Sequence, residues 1–277
     1  MKKLCFLFMI TLILYSCGSV PITGRRQLNL VSDQEVLSLS LEQYNDYIKT
    51  AKKSTDRASV TLVETVGSKI AGAVASFFKA NGQEKLLEGY QWEFTLVDDP
   101  QVNAFCMPGG KIVVYSGILP YTRDETGLAV VVGHEVGHAI AKHANERMSQ
   151  QVALSYGGAA VGAALGKSSA LVQTIGTQVF GLGAQLGVML PFNRKQELEA
   201  DRLGMIIMAL AGYDPNSTIP FWERMSQQGG SKPIEFLSTH PSDETRIAAI
   251  RKEIPEAMKY YTGTGAKSVS TSNQWRY

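Results

Sequence analysis

"HEVGHAIAKH", residues 134–143, places three of the chain's four histidines within ten positions. It lies inside the run "ETGLAVVVGHEVGHAIAKHANERM", from Glu125 to Met148, with Asp124 ahead of it as a candidate N-cap. The run reads as one long helix. On it His134 and His138 fall one turn apart and about 40° out of line, so both imidazoles can reach a single ion. Glu135 projects beside them, where it can take a proton from a water without filling a ligand position. Val131, Val132, Val136, Gly137 and Ile140 make the helix apolar. The imidazoles and the carboxylate are therefore buried and need partners, which a metal supplies. His143 falls about 180° around a continuous helix from His134 and is expected to stand apart from the ion, structural or solvated.

A catalytic zinc takes three protein ligands, and this helix offers two. "NRKQELEADRLG", residues 193–204, supplies Glu197, Glu199 and Asp201 on a second predicted helix. Asn193 and Gln196 have the spacing of its capping box. Glu197 and Asp201 share a face at i, i+4, and Glu199 points away. One of the pair can ligate zinc while the other accepts the N–H of a ligating imidazole.

Apolar residues make up 44% of the 277 positions and charged residues 19%, the balance of a globular chain with a real core. Residues 1–16, "MKKLCFLFMITLILYS", have a positive start, an apolar stretch and a small last residue, the layout of a secretory signal. "LYSC" resembles a bacterial lipoprotein box, with Cys17 as the lipidated residue. Removal of Lys2 and Lys3 takes the formal charge from +2 to 2 − 2 = 0, which leaves no electrostatic case for nucleic acid as a partner. Cys5 leaves with the signal and Cys17 is acylated, so Cys106 remains alone and is read as packing.

Between these landmarks the chain alternates helix and strand signals. Residues 18–29 read as a polar tether. Ser32 and Glu35 have capping-box spacing, a second helix is expected over Val60–Ala80, and another from Asp243 to Lys252. Trp92, Phe94 and Leu96 alternate as in a half-buried strand, and Lys111–Tyr115 reads as a returning strand after Pro108-Gly109-Gly110. Met148 to Phe192 is rich in Gly and Ala, with Lys167 as its only Lys between Arg147 and Arg194. Ser168–Phe192 is long enough to cross a bilayer, but its glutamines, threonines and glycines favour a helical lid over the cleft.

HEVGH at 134–138, "NAFCMPGGKIVVYSGIL" at 103–119, "ELEAD" at 197–201 and "STHPSDETRI" at 238–247 occur in this order in one family. They resemble the CAAX-prenyl-protease and HtpX-like zinc metallopeptidases, most of all the exported lipoprotein branch of the BepA and LoiP type. The resemblance runs from about Pro21 to Ile254. It implies that His134, His138 and Glu197 hold one zinc per chain, that Glu135 is the general base, and that Asp201 supports a ligand. It places His240 and Arg246 near the metal, to stabilise the reacting carbonyl or gate access. It also makes Asn103, Ala104 and Phe105 a sheet edge on which an extended peptide can lie.

The expected architecture is α+β and mostly helical, a zincin-like metalloprotease domain with a small β-sheet whose edge strand borders the zinc cleft. The expected organisation is a signal peptide over 1–16, lipidated Cys17 and tether to 30, the peptidase domain over 31–261, and a disordered tail over 262–277. The expected function is endopeptidase action on misfolded or unassembled envelope proteins in the bacterial periplasm. The protein would be held by its lipid, favouring the outer membrane, with the envelope assembly machinery as a possible partner. Two other readings are a membrane-embedded protease and a zinc-stabilised chaperone-like module. The intact HExxH and the available third ligand weigh against the latter.

Overall fold

The computed structural model describes residues 17–155, 170–180, 193–227, 236–237, 240 and 244–263. The signal segment 1–16, most of the expected tail, and the 156–169 and 181–192 parts of the Gly/Ala-rich stretch, which include much of the expected lid, lie outside the described residues.

Two elements carry the HExxH segment and its partner carboxylates. Helix α3, Glu125–Ile140, starts where the Asp124 carboxylate accepts the Gly127 N–H at 2.8 Å. Every residue from Gly127 to Ile140 is buried, as suits a helix apolar on all sides. Helix α6, Arg194–Leu210, starts at the expected capping box. The Asn193 side chain accepts from the Gln196 N–H at 3.0 Å, and the Gln196 side chain accepts from the Asn193 N–H at 3.3 Å. The two helices meet backbone to backbone. A Cβ at Gly133 would stand 2.9 Å from the Gly204 carbonyl oxygen, one at Gly137 2.7 Å from that of Ala200, and one at Gly204 2.8 Å from the His134 nitrogen.

Around this pair the remaining elements build the core. Helix α2, Arg57–Ala80, buries Val63, Val66, Ile70, Val74, Phe77 and Phe78 against α3 and the sheet. Strands β3 (Glu93–Val97), β4 (Ala104–Met107) and β5 (Lys111–Tyr115) form a sheet in the order β3-β5-β4. The wholly buried β5 is central; it runs parallel to β3 and antiparallel to β4. Strand β4 is thus an edge, and it packs on α3. A second apolar cluster lies between helix α1 (Asp33–Thr50), the sheet, helix α4 (His143–Ser155) and helix α5 (Ala170–Phe180). Helices α7 (Thr218–Gln227) and α8 (Glu244–Ala257) complete the described fold. The mostly helical α+β class is as expected.

Two expectations need correction. The helix expected to run through His143 breaks before it. Lys142 adopts φ 53°, its N–H donates to the Ala139 carbonyl at 3.0 Å, and α4 begins afresh at His143. A left-handed lysine costs energy that a glycine would not. Burial of α4's first turn on both sides offsets it: His143, Asn145, Glu146 and Arg147 are all buried. The expected tether is also no tether. Strands β1 (Cys17–Ser19) and β2 (Arg26–Leu28) pair antiparallel, and Val20 and Gln27 are buried against the domain.

Candidate metal centre

Ligand-capable atoms of His134, His138, Glu197 and His240, all buried, lie within 4.8 Å of one another. Helix α3 supplies the first two one turn apart, α6 supplies Glu197, and His240, whose N–H donates to the Phe236 carbonyl at 2.8 Å, joins them. The Nε2 atoms of His134 and His138 are 3.1 Å apart, and His134 Nε2 lies 3.1 Å from His240 Nδ1. Glu197 Oε1 is 3.3 Å from His138 Nε2 and 3.1 Å from His240 Nδ1. A tetrahedral zinc with ligands at about 2.0–2.1 Å sets its donors roughly 3.3 Å apart. The residues therefore fit zinc, as expected for His134, His138 and Glu197, and they bring His240 in as a fourth donor.

Glu135 is close to this group without belonging to it. Its Oε2 accepts the Cys106 N–H of β4 at 3.2 Å, while its buried Oε1 has no hydrogen bond and faces His240 Nε2 at 3.4 Å. Burial raises its pKa above the ordinary glutamate range, with His240 and His134 opposing. That is the tuning wanted of a general base. Strand β4 is an edge, so Cys106 turns its N–H away from β5 and toward the site. The Asn103 side chain accepts the Ala104 N–H at 2.9 Å, and the Asn103 carbonyl accepts the Tyr115 N–H at 3.1 Å. Asn103, Ala104 and Phe105 are all buried, Phe105 in the second apolar cluster, and the contact of this strand with the site comes from Cys106.

Each ligating ring is held from behind. His134 Nδ1 lies 2.9 Å from Asp201 Oδ1. Arg246 grips the same carboxylate in bidentate fashion, Nε to Oδ2 at 2.7 Å and Nη2 to Oδ1 at 2.8 Å, and its Nη1 reaches Glu197 Oε2 at 2.8 Å. The guanidinium lies 3.8 Å over the Trp222 ring. Burial opposes the charge on Glu197, but His240 and Arg246 outweigh it and hold the carboxyl well below its usual range. Burial likewise opposes charge on His134, yet Asp201 and Glu197 raise its pKa to about 9. Asp201 thus links the His134 ring to the Arg246 guanidinium. Arg246 reaches the site through the Asp201 and Glu197 carboxylates, and its Nη2 also lies 3.4 Å from His134 Nδ1.

Behind His138 stands a chain of contacts that sequence reasoning missed. His138 Nδ1 lies 2.8 Å from His143 Nδ1, and His143 Nε2 lies 3.0 Å from Glu199 Oε2. Glu199 accepts from Thr23 Oγ1 and, at 2.7 Å, from Arg25 Nε. The Arg25 guanidinium also makes two bonds of 2.8 Å to Glu146, which accepts from Gln196 Nε2 at 2.9 Å. Ligation at His138 Nε2 puts the ring proton on Nδ1, so His138 donates to His143 and His143 donates to Glu199. Burial lowers the His143 pKa, in keeping with a neutral ring. His143 is thus structural, as expected, but buried rather than solvated. Glu199 does point away from the metal, as expected, and is buried in this network.

Residues 67–254 match the family model for peptidase family M48, so the chain belongs to that family. It is 33% identical over 240 residues to the mitochondrial metalloendopeptidase OMA1 of Schizosaccharomyces pombe, covering 86% of this chain and 66% of that protein. It is 29% identical over 251 residues to the human mitochondrial metalloendopeptidase OMA1, covering 86% of this chain and 46% of that one. The beta-barrel assembly-enhancing protease of Escherichia coli is 32% identical over 165 residues, 58% of this chain and 34% of that protein. The chain therefore spans between a third and two thirds of the length of these relatives. The family expectation holds at this level. The narrower resemblance to an exported branch is not singled out, because the mitochondrial proteins match over a longer stretch.

Proposed function

We propose that the protein is a zinc-dependent endopeptidase that hydrolyses peptide bonds of extended polypeptides. The observation that carries this reading is the placement of Glu135. It stands between the donor group and β4, an edge of the three-stranded sheet that packs on α3. When bound, zinc acidifies water and polarises a carbonyl. Glu135 would take the proton of the attacking water and return it to the leaving amine. Its free Oε1 is the oxygen available for that exchange. With the Ala104 and Cys106 N–H groups taken by Asn103 and Glu135, the carbonyls of these two residues would accept from the substrate main chain and align it by strand addition. Glu135→Gln should keep zinc and fold while casein cleavage falls by about 10²–10⁴-fold; near-normal turnover in a zinc-replete mutant would sink the reading.

As a fourth donor to a bound zinc, His240 would take the place that water or a carbonyl oxygen needs, which supports a resting cap that withdraws for substrate over a fixed oxyanion donor. Increased self-cleavage in His240→Ala would support the cap, and a loss of kcat with zinc retained would support the donor.

We further infer that the protein is a bacterial lipoprotein anchored through Cys17, acting on misfolded or unassembled proteins of the cell envelope. The support is the charged, apolar and small-residue order of residues 1–16 ahead of Cys17, together with the similarity to the bacterial beta-barrel assembly-enhancing protease. Among the described residues one helix, Arg57–Ala80, is long and apolar enough to cross a bilayer, and its apolar stripe lies in the core. Cys17→Ala should abolish palmitate incorporation and release the protein from membranes; label retained in that mutant would place the lipid elsewhere.

A further inference from the structure

A cavity of about 560 Å³ opens beside the metal centre, between the start of α1, the segment 85–90, the end of β4 and the α3–α4 junction. That is the size of a site for a small ligand or a few peptide residues. Its walls include half-buried Leu37, Leu86, Tyr90, Pro108 and Ala144. Its rim carries Asp33 and Glu88 against Lys85 and Lys142, and Lys142 is paired with Asp33 at 2.6 Å. The charges balance, so the apolar walls decide what enters.

The walls are fixed in place. The Tyr90 hydroxyl donates to the Ala139 carbonyl at 2.9 Å, and the Pro108 carbonyl accepts from Ser40 Oγ at 2.8 Å. Gly89 and Gly109, at φ 83° and 88°, bring main chain against Leu37. A Cβ at these positions would come within 2.8 and 3.3 Å of the leucine. A pocket shaped this way needs little ordering when it is filled.

Two wall residues tie the cavity to the chemistry. His138 is a metal donor, and Cys106 is the residue whose N–H holds Glu135. A strand added antiparallel to β4 would have its reacting carbonyl opposite Ala104–Cys106. Its preceding residues would run toward Met107 and Pro108, where the cavity lies. We propose that this cavity is a specificity pocket that receives a large apolar side chain of the substrate, from the N-terminal side of the scissile bond. The proposal rests on the endopeptidase reading and adds a side-chain preference to it. An unfolded chain exposes such side chains and a folded one buries them, so the pocket would also separate unfolded from folded proteins.

The test uses the full zinc-loaded chain digesting unfolded casein, with cleavage sites read by mass spectrometry. Wild type should cut with Leu, Phe or Met enriched at one of the three positions before the bond. Leu37→Lys should remove that enrichment. It should also lower the ratio of kcat/KM between matched Phe and Ala peptides by about tenfold or more. Leu86→Trp, which narrows the cavity from its wall, serves the same purpose if Leu37→Lys does not fold. A flat wild-type profile before the bond, or an unchanged ratio in a folded variant, overturns the pocket and leaves proteolysis standing. No cleavage by wild type above Glu135→Gln overturns the endopeptidase reading and the pocket with it.

Discussion

His134 and His138 sit one turn apart on the same helix, and what holds each ring is quite different. Behind His134 the support is short and closed. Asp201 and Arg246 come from α6 and α8, Trp222 lies under the guanidinium, and all are buried. Behind His138 the support is a relay through His143 and Glu199. It ends on Arg25, whose side chain is 22% exposed, in the hairpin that begins at Cys17. One ring is thus set by the helical core, the other by a packed segment at the start of the described chain. The difference teaches that identical ligands need not be equally robust: a buried ion pair is hard to replace, whereas water can take over some of Arg25's bonds.

The comparison breaks most sharply at Glu197 and Asp201. Glu197→Ala should abolish stoichiometric zinc by removing a donor. Asp201→Ala should leave Arg246 as a buried charge with one carboxylate fewer. We expect a stability loss of about 3–5 kcal/mol, read as a fall in melting temperature, with zinc affinity reduced by roughly 10–100-fold. Equal zinc content in Glu197→Ala and wild type would mean that α6 does not supply the ligand. At the next level, Glu199→Gln or His143→Ala should weaken zinc by about tenfold, measured by chelator competition, while costing less stability than Asp201→Ala. If they match Asp201→Ala in both measures, the two supports are equivalent and the comparison fails. Smallest should be Arg25→Ala, with a few-fold faster zinc loss, partly restored in Arg25→Lys. In a His143→Ala background Arg25→Ala should add almost nothing to zinc loss, because the relay is already cut. An additive effect would show that Arg25 acts by some other path.

Local signals made much of this site legible from sequence. Asp124, Asn193 with Gln196, and the i, i+4 pairs His134/His138 and Glu197/Asp201 each follow from contacts within one helix, so spacing alone placed them. The relay behind His138 depends on two things that spacing does not carry. One is a helix break at Lys142, where no glycine or proline marks the left-handed turn. The other is a hairpin of three-residue strands, too short to show alternation, whose Arg25 pairs with residues 121 and 174 positions away. Glu199 shows the same limit. Facing away from the metal was readable, but its burial was not, since that requires knowing that the hairpin and α4 cover the far side of α6. The parallel pairing of β3 with β5, which leaves β4 on the opposite edge, does not follow from the signal of a simple returning strand.

The seam of Gly133, Gly137 and Gly204 has a consequence for how this protein can change over time. Where side chains meet, a substitution can be absorbed by rotating a neighbour; where main chain meets main chain, nothing is free to rotate. An alanine at any of the three must push α3 and α6 apart, and with them His134 and His138 from Glu197. These positions hold no chemistry and touch no substrate, yet the distance across the metal is written in their missing methyl groups. In a mutational scan scored by activity they should tolerate as little as the ligands themselves.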